Sequence, residues 1–221
     1  MKITWLGHST FKIESEMTIV IDPHDPTVGP LPADLTADIV TVSHAHHDHN
    51  YIEGVGGDPQ IFDQAGDFII AGDASPQRET SPDIKITGVP TFHDGVQGQQ
   101  RGNNIVFVYD IEGLNLCHLG DLGHLLNPTQ LAQIGTVDIL MIPVGGFYTI
   151  DADQAVEVVG QIKPKIVLPM HYKSKNLPAS VPIAPVDAFV TKLGWKVKTV
   201  TELDINIESI GEHLQSIILF A

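Results

Sequence analysis

The sequence contains few of the residues on which disulfide-rich and nucleic-acid-binding proteins depend. Cys117 is the only cysteine among 221 residues, so no disulfide can form within the chain. Arg78 and Arg101 are the only arginines, and the formal net charge is −15. Because nucleic-acid binding normally requires a basic surface that replaces counterions, we expect no nucleic-acid partner.

Long apolar runs are also missing from the sequence. No run approaches the roughly 18–20 apolar residues that cross a bilayer, and the opening MKITWLGHST lacks the apolar core of a signal peptide. We therefore expect no membrane partner and a cytoplasmic location, with which a single cysteine agrees. The length of 221 residues and an apolar content of 43% predict one domain, residues 1–221, with a substantial core.

The most informative stretch is TVSHAHHDHN, residues 41–50. Within six positions it contains five side chains of the types that bind divalent metals: His44, His46, His47, Asp48 and His49. The β-branched run at residues 38–43 is typical of a buried strand, so these side chains are expected on the loop at its carboxyl end. A surface histidine tract without a specific ligand is the alternative interpretation.

The spacing within this stretch indicates two positions for metal ions. On extended backbone, side chains two residues apart point the same way, so His44 and His46 can bind one ion together. Asp48 and His49 follow after a turn and are expected to reach a second, neighbouring ion. We expect His47 to face solvent.

The rest of the pattern predicts an α/β or α+β domain. Strands are predicted at residues 2–6, 10–14, 17–21, 38–43, 60–62, 67–71, 84–92, 104–109, 114–119, 137–143, 165–169, 197–200, 205–209 and 216–220. Helices are predicted at residues 128–134, 152–162 and 186–193, with Asn127 and Asp151 as N-caps of the first two. The Pro- and Gly-rich stretch 24–37 is predicted to be a loop and a candidate lid over the site.

Predicted strands are repeatedly followed by a loop that bears His or Asp. This occurs at His8, at the 44–49 loop, and at His93, Asp121 and His171. Loops at several strand ends along one edge of a sheet can converge on one point.

The motif HAHHDH resembles the H-x-H-x-D-H signature of the metallo-β-lactamase superfamily. Further matches are Gly7-His8, HLGD at 118–121, PVGG at 143–146 and PMHY at 169–172, which resemble the short cytoplasmic hydrolases that include the ascorbate-6-phosphate lactonase type. The resemblance covers essentially the whole chain. It implies an αββα sandwich with a metal site at the sheet edge. The sequence departs from this branch at the polar loop GQQRGNN around Arg101.

The same resemblance implies a dinuclear site. It assigns His44, His46 and His93 to the first ion, Asp48, His49 and His171 to the second, and Asp121 to both as a bridge. Asp48 and Asp121 are the carboxylates that the resemblance places in catalysis. Zinc is the preferred ion and manganese or iron the alternatives, because the ligands are imidazole and carboxylate. A ligand set without thiolate is typical of catalytic rather than structural zinc.

The function implied is hydrolysis, in which a metal-bound hydroxide attacks a lactone, ester or phosphodiester. The expected partner is a small-molecule substrate, with an anionic one as an option, and a homo-oligomer is left open. Two alternatives remain at this point. One is a nuclease-type phosphodiesterase of the same superfamily, and the other is a metal-binding sensor or interaction protein without catalysis.

Six further residues are candidates for contact with the substrate or for orienting a metal ligand: His8, Asp22, Arg101, His118, His124 and Tyr148. The alternatives are a structural histidine for His8 and His118, and a turn with Pro23 for Asp22. Arg101 is either a clamp for carboxylate or phosphate or a solvated loop residue, and Tyr148 is either a substrate contact or ordinary surface.

The remaining histidines and the cysteine are expected to have simpler roles. His124 is a candidate proton donor to a leaving group. His24 and His213 are expected at the surface, and Cys117 is expected to be a buried apolar side chain.

Overall fold

The computed structural model describes residues 1–71, 83–175, 177 and 180–221. In this part of the chain the strands are β1 Lys2–Gly7, β2 Thr10–Glu14, β3 Thr18–Ile21, β4 Ile39–Thr41, β5 Gln60–Phe62, β6 Gly66–Ile70, β7 Ile84–Phe92, β8 Asn103–Ile111, β9 Leu114–His118, β10 Ile139–Pro143, β11 Ile166–Met170, β12 Lys196–Val200, β13 Leu203–Asp204 and β14 Ser216–Phe220. The helices are α1 Pro128–Ile134, α2 Ala152–Ile162 and α3 Asp187–Leu193.

The strands form two mixed sheets. The six-stranded sheet has the order β13-β1-β2-β3-β4-β5, and the eight-stranded sheet has the order β12-β14-β11-β10-β9-β8-β7-β6. Strands β3, β4 and β5 are parallel, as are β9, β10, β11, β14 and β12. The remaining neighbours pair antiparallel.

The core between the sheets follows from the alternation of side chains along each strand. Ile39 of β4 and Leu116 of β9 point into the layer between the sheets, whereas their neighbours Val40 and Cys117 point to the outer faces. Every residue of β10 and β11 is buried. These two strands are almost continuously apolar because both faces of the eight-stranded sheet are covered there.

Different structures cover the two outer faces. The helices α1, α2 and α3 pack on the eight-stranded sheet through a second apolar cluster that includes Ile134, Val159 and Phe189. The outer face of the six-stranded sheet is covered by the segment with Leu35 and Ala37 and by a 3-10 helix, Ile52–Gly54. The predicted sandwich is thus confirmed in its two central sheets and one helical layer, and loop and 3-10 helix form the other layer.

Capping explains why α1 and α2 begin where they were predicted to begin. The side chain of Asn127 accepts the Gln130 backbone N–H at 3.0 Å, and that of Asp151 accepts the Gln154 N–H at 3.0 Å. In both cases the glutamine side chain reaches back to the cap residue, which completes a capping box. No helix among the described residues is long and apolar enough to cross a membrane.

The predicted strand at residues 205–209 is wrong. The Asn206 side chain accepts the backbone N–H groups of Glu208 at 3.0 Å and Ser209 at 2.8 Å, which closes a turn. A 3-10 helix, Ser209–His213, follows instead of a strand. The alternation of Ile205 and Ile207 imitated a strand, but the side chain of Asn206 satisfies the backbone locally.

Candidate metal centre

The predicted ligands lie on loops that follow the carboxyl ends of strands from both sheets. The loop after β4 carries the histidines of residues 44–49, and β7, β9 and β11 are followed by His93, Asp121 and His171. Strands β9 and β11 both run parallel to β10, and β7 and β9 each pair antiparallel with β8, so β7, β9 and β11 share one direction. Their ends therefore meet at one edge of the sandwich.

A turn divides the loop after β4 into two parts. The carbonyl of His46 accepts the backbone N–H groups of His49 at 2.9 Å and Asn50 at 3.1 Å. The Asn50 side chain donates to the Ala45 carbonyl at 3.1 Å. The turn therefore separates His44 and His46 from Asp48 and His49, as the spacing predicted.

The structure brings all seven predicted ligands together. Three groups of side chains have donor atoms within 4.8 Å of one another: His44 with His46 and His93; His8 with Asp48, His49 and His171; and Asp121 with His44 and His49. The first two groups follow the division that the resemblance implies, with His8 added to the second. Asp121 shares one neighbour with each group, so it lies between the two candidate positions.

Asp121 faces four imidazoles. Its Oδ2 lies 3.1 Å from Nε2 of His93 and 3.4 Å from Nε2 of His171. Oδ2 is also 3.9 Å from Nε2 of His44, and Oδ1 is 3.2 Å from Nε2 of His49. Oδ2 therefore faces histidines of both groups, and Oδ1 faces His49 of the second group.

Gly120 explains the sequence HLGD around this carboxylate. Its φ is +55°, and a Cβ there would clash with Oδ1 of Asn104 and lie 2.7 Å from the Ser43 Cβ. The same Asn104 oxygen accepts the Asp121 backbone N–H at 2.9 Å. Only glycine allows the chain to pass this close to Asn104 while Asp121 turns towards the histidines.

The donor set fits a divalent cation. His49 Nε2 and Asp121 Oδ1 are buried and face each other at 3.2 Å without hydrogen-bond geometry, and neither has another hydrogen-bond partner among the described residues. A buried polar atom without a partner is destabilising by about 1–3 kcal/mol. A cation bound between imidazole and carboxylate satisfies both atoms and accounts for their burial.

Electrostatics prepare several of these histidines to bind metal. Burial, followed by the neighbouring His49, lowers the pKa of His44 to about 3. Burial also lowers the pKa of His171 to about 4, although Asp121 opposes this change. Both imidazoles are therefore neutral near pH 7, which is the form that binds metal.

His49 differs from the other histidines. Burial lowers its pKa, but the carboxylates of Asp121 and Asp22 outweigh that effect and raise the pKa well above its ordinary value. A proton and a metal ion on Nε2 of His49 are alternatives, because the same two carboxylates stabilise either positive charge.

Asp22 orients His49 from behind. It is fully buried, and its Oδ2 accepts from Nδ1 of His49 at 2.8 Å and from Oγ of Ser43 at 2.6 Å. Its Oδ1 accepts the Ser43 backbone N–H at 2.7 Å. A proton held on Nδ1 leaves the Nε2 lone pair of His49 directed at the cluster.

Ser43 is a site residue that sequence reasoning missed. Its Oγ lies 3.0 Å from Nδ1 of His44, so the hydroxyl connects His44 to Asp22. The only signal in the sequence was its position directly before His44, and serine in that position has no specific meaning without the contacts.

His8 lies against the second group of ligands. Its Nε2 is 3.2 Å from Oδ2 of Asp48, and its ring centroid is 4.3 Å from that of His171. Its backbone carbonyl accepts the His171 N–H at 3.1 Å and Nε1 of Trp5 at 2.9 Å. Burial raises the pKa of Asp48, but the hydrogen bond from His8 and the nearby His49 outweigh it and lower that pKa.

His118 and His124 hold backbone rather than face the cavity. Nε2 of the buried His118 donates to the Ser9 carbonyl at 2.9 Å, and its Nδ1 accepts the Gly120 N–H at 3.1 Å. Nε2 of His124 accepts the Phe92 N–H at 3.1 Å, and its Nδ1 donates to the Leu125 carbonyl at 2.8 Å. The proton-donor hypothesis for His124 is corrected, because both of its ring nitrogens are engaged with the backbone beside His93.

The expectation for His24 is also wrong. We expected it at the surface, but it is 1% exposed, with Nε2 3.3 Å from the Leu6 carbonyl and Nδ1 3.2 Å from the Asp25 carbonyl. His47 is exposed as expected, at 71%, and lies 3.3 Å from Asp25. Cys117 is buried as expected, and burial raises the pKa of its thiol.

A cavity of about 580 Å³ opens beside the cluster. Its lining includes His8, His46, Asp48, His93, Asp121 and His171, together with Arg101 and Tyr148. Thr27 and Val28 also line it, so the predicted loop at residues 24–37 reaches the site. Of the candidates for substrate contact, His8, Arg101 and Tyr148 thus lie at the cavity, whereas Asp22 lies behind the ligands.

Comparison with known proteins finds similarity over most of the chain. A family profile described as "Beta-lactamase superfamily domain" matches residues 2–171. A UPF0173 metal-dependent hydrolase from Thermoplasma volcanium is 31% identical over 199 residues, which cover 83% of this chain and 88% of the relative. Another, from Methanosarcina mazei, is 30% identical over an alignment of 240 positions that covers 97% of this chain and 98% of the relative.

A solved structure from Thermotoga maritima is similar over nearly the whole chain. It is described as a candidate Zn-dependent hydrolase of the metallo-β-lactamase superfamily and is 39% identical to this chain. The similarity covers 99% of this chain and 98% of that one, with a TM-score of 0.78.

Proposed function

The chain belongs to the beta-lactamase superfamily, and from this premise we propose that it is a hydrolase that depends on two divalent metal ions. In this proposal His44, His46 and His93 hold one ion, and Asp48, His49 and His171 hold the other. Asp121 is shared by both ions. The substrate of this hydrolase is a small molecule that contains a lactone, ester or phosphodiester bond.

One observation carries the proposal: the position of Asp121 between the two groups of ligands. Its carboxylate lies 3.1 Å from Nε2 of His93, which belongs to the first group, and 3.2 Å from Nε2 of His49, which belongs to the second. A carboxylate that serves a single ion has no need of imidazoles on both sides. Two divalent ions, one held by each group of ligands and both sharing Asp121, would account for this arrangement.

The ligand types favour zinc, with manganese or iron as alternatives. The proposed ligand set is five imidazoles and two carboxylates, and the described residues add no thiolate to it. Such a set suits a catalytic ion that keeps a position open for a water molecule or the substrate. His46 is the exposed member of the set and lines the cavity, so a substrate would reach the ligands from that side.

The side chains around the ligands hold them ready for chemistry. When bound, the two ions supply a nucleophile from water near neutral pH and polarise the oxygen of the bond to be cleaved. Asp22 keeps a proton on Nδ1 of His49, and Ser43 holds the ring of His44. Nε2 of His8 donates to Oδ2 of Asp48, so one orientation of that carboxylate is favoured.

The charge of −15 argues against the nuclease alternative.

The test combines metal removal with a panel of substrates. The purified protein is stripped with a chelator and reloaded with zinc, manganese or iron. Each form is assayed with a lactone, an acyl ester, a phosphodiester and a short RNA. We expect hydrolysis of one small-molecule class that is lost on chelation and restored on reloading.

Two outcomes of this assay would overturn the proposal. A protein that binds two ions and hydrolyses none of the panel supports the sensor alternative. Hydrolysis of RNA alone would make the protein a nuclease-type phosphodiesterase.

A further inference from the structure

We infer that the cavity beside the candidate metal centre binds a substrate with two different ends. One end is an anionic group, a carboxylate or a phosphate, held by Arg101. The other is an aliphatic group that packs against Val28, Val181 and Ile183. The inference rests on the proposed function, because it defines the substrate class of the same site.

The loop that carries Arg101 is built around the carboxylate of Asp94. Its Oδ1 accepts the backbone N–H groups of Val96 at 2.8 Å and Gly98 at 2.9 Å. Its Oδ2 accepts those of Gln100 at 2.9 Å and Arg101 at 2.8 Å. The backbone of Arg101 is therefore fixed before any substrate binds.

The guanidinium of Arg101 has N–H donors at the cavity that are available to a ligand. Nη2 donates to the Phe147 carbonyl at 3.1 Å, and the carbon of the guanidinium lies 5.7 Å from the centroid of the Tyr148 ring. Within the described part of the chain, no carboxylate lies within the 4.0 Å of an ion pair with Arg101. A guanidinium has five N–H donors, and it recognises carboxylate and phosphate with two parallel bonds.

The charged residues at the cavity indicate the sign of the charge on the substrate. Besides its histidines, the charged residues that line it within the described part of the chain are Asp48, Asp121 and Arg101. Both aspartates face the candidate metal ions. Arg101 is thus the cationic side chain that remains for the substrate, in a protein whose net charge is −15. An isolated cation in such a position favours an anionic group.

An apolar wall lies elsewhere around the same cavity. Val28, Leu177 and Ile183 form a small buried cluster, with Val181 partly buried against it, and all four line the cavity. Nζ of Lys173 donates to the Val181 carbonyl at 2.8 Å, and the Ala184 N–H donates to the Gly145 carbonyl at 2.7 Å. These bonds hold the segment around Val181 and Ile183 in place.

Together the two walls define the ligand. Apolar side chains that face a cavity next to charged groups gain stability when an apolar part of a ligand covers them. The volume of about 580 Å³ is within the range of small-molecule sites. A substrate with an aliphatic part and an anionic head contacts both walls while its reactive bond lies at the metal centre.

Binding of unreactive six-carbon probes to the metal-loaded protein tests the anionic end. The probes are hexanoate, hexyl phosphate, 1-hexanol and hexylammonium, measured by titration calorimetry. We expect hexanoate or hexyl phosphate to bind most tightly, and the tighter of the two identifies the head group. Arg101→Gln should weaken binding of that anion about tenfold or more and change binding of 1-hexanol less than about twofold.

Two matched variants control this measurement. Arg101→Lys keeps the charge but not the paired donors, so it should retain part of the affinity for the anion. Lys2→Gln removes a positive charge at the opposite end of β1 from His8, where Lys2 pairs with Glu202, and should leave all four affinities unchanged. Binding of an anion to the metal ions themselves contributes equally in all of these proteins.

The aliphatic end is tested with acetate, butanoate and hexanoate. Each added methylene that is buried should raise affinity about three- to fourfold. Ile183→Ala should reduce this gain, whereas Ile207→Ala, at a residue that is 55% exposed, should not. A series whose affinity does not rise with chain length contradicts the apolar wall.

The outcomes separate this inference from the proposed function. Binding that depends on Arg101, in a protein that hydrolyses nothing in the panel, supports the inference and contradicts only the catalytic proposal. Unchanged affinity for the anions in Arg101→Gln, with hydrolysis intact, overturns the inference alone. Equal weakening of every probe also overturns it, because Arg101 then serves only to hold the Phe147 loop.

Discussion

The two sheets contribute to the candidate metal centre in different ways. The six-stranded sheet supplies four proposed ligands from the single loop after β4, at residues 44–49, and the eight-stranded sheet supplies three from separate strands: His93, Asp121 and His171. The first half of the centre is organised locally by one turn. The second half depends on the register of β7, β9 and β11. Two bound ions would therefore link the sheets. We expect a substitution to reduce metal binding and hydrolysis most where the side chain faces the proposed ions directly.

The largest effect is expected at Asp121, the residue that the two groups of ligands share. Asp121→Ala should lose at least one metal ion and all measurable hydrolysis, because Nε2 atoms of both ligand groups then lack their common carboxylate. Metal content by mass spectrometry and the panel assay check this. Asp58→Ala, at an exposed aspartate, is the matched control. Full metal content and activity in Asp121→Ala would contradict the shared role.

The link between the sheets is tested by removing the ions. A metal ion at a thousand times its dissociation constant stabilises the folded state by about 4 kcal/mol, so chelation should lower the melting temperature by several degrees. His171→Ala should shrink this difference, and His47→Ala, at a loop histidine that is 71% exposed, should leave it unchanged. If chelation removes both ions and the melting temperature stays constant, the ions do not hold the sheets together.

A smaller effect on metal binding is expected at Asp22, which lies behind the ligand His49. Asp22→Asn keeps a side chain that tolerates the φ of +45°, but it loses the negative charge and its single oxygen cannot replace both carboxylate oxygens. Its NH2 group must face either His49 Nδ1 and Ser43 Oγ or the Ser43 backbone N–H, none of which can then donate to it. Affinity for metal should fall about 10–100-fold. Competition with a chromophoric chelator measures this change, and an affinity equal to that of the wild-type protein would show that Asp22 does not orient His49.

The smallest effect is expected at His124. The side-chain oxygen of His124→Gln can still accept the Phe92 N–H, so turnover should change less than about threefold and the pH profile should keep its shape. Loss of the alkaline limb of that profile, together with a large fall in turnover, would restore the proton-donor hypothesis for this residue.

The local half of the centre is also the half that sequence reasoning explains best. The spacing of His44, His46, Asp48 and His49 predicts a division by a turn, and the hydrogen bonds of the His46 carbonyl show that turn. Helix α2 was predicted from its apolar period and from Asp151, because both signals lie within a few residues of each other. Spacing alone could not bring His93 to Asp121, since their approach depends on β8 pairing with both β7 and β9.

The residues that sequence reasoning misplaced or missed also depend on contacts between distant parts of the chain. His24 follows Pro23 in a segment that is rich in Pro and Gly, and nothing nearby indicates that the Leu6 and Asp25 carbonyls enclose its ring. Ser43 and Asn104 shape the site through contacts with residues that are distant in the sequence or have no distinctive spacing. Residues that act through such contacts become visible only when the sheets are assembled.

Anomalous diffraction from crystals of the zinc-loaded protein tests the dinuclear centre most directly. We predict two peaks about 3.5–4 Å apart, with Asp121 between them. His44, His46 and His93 should surround one peak, and Asp48, His49 and His171 the other. A single peak, or zinc bound away from Asp121, would contradict the account.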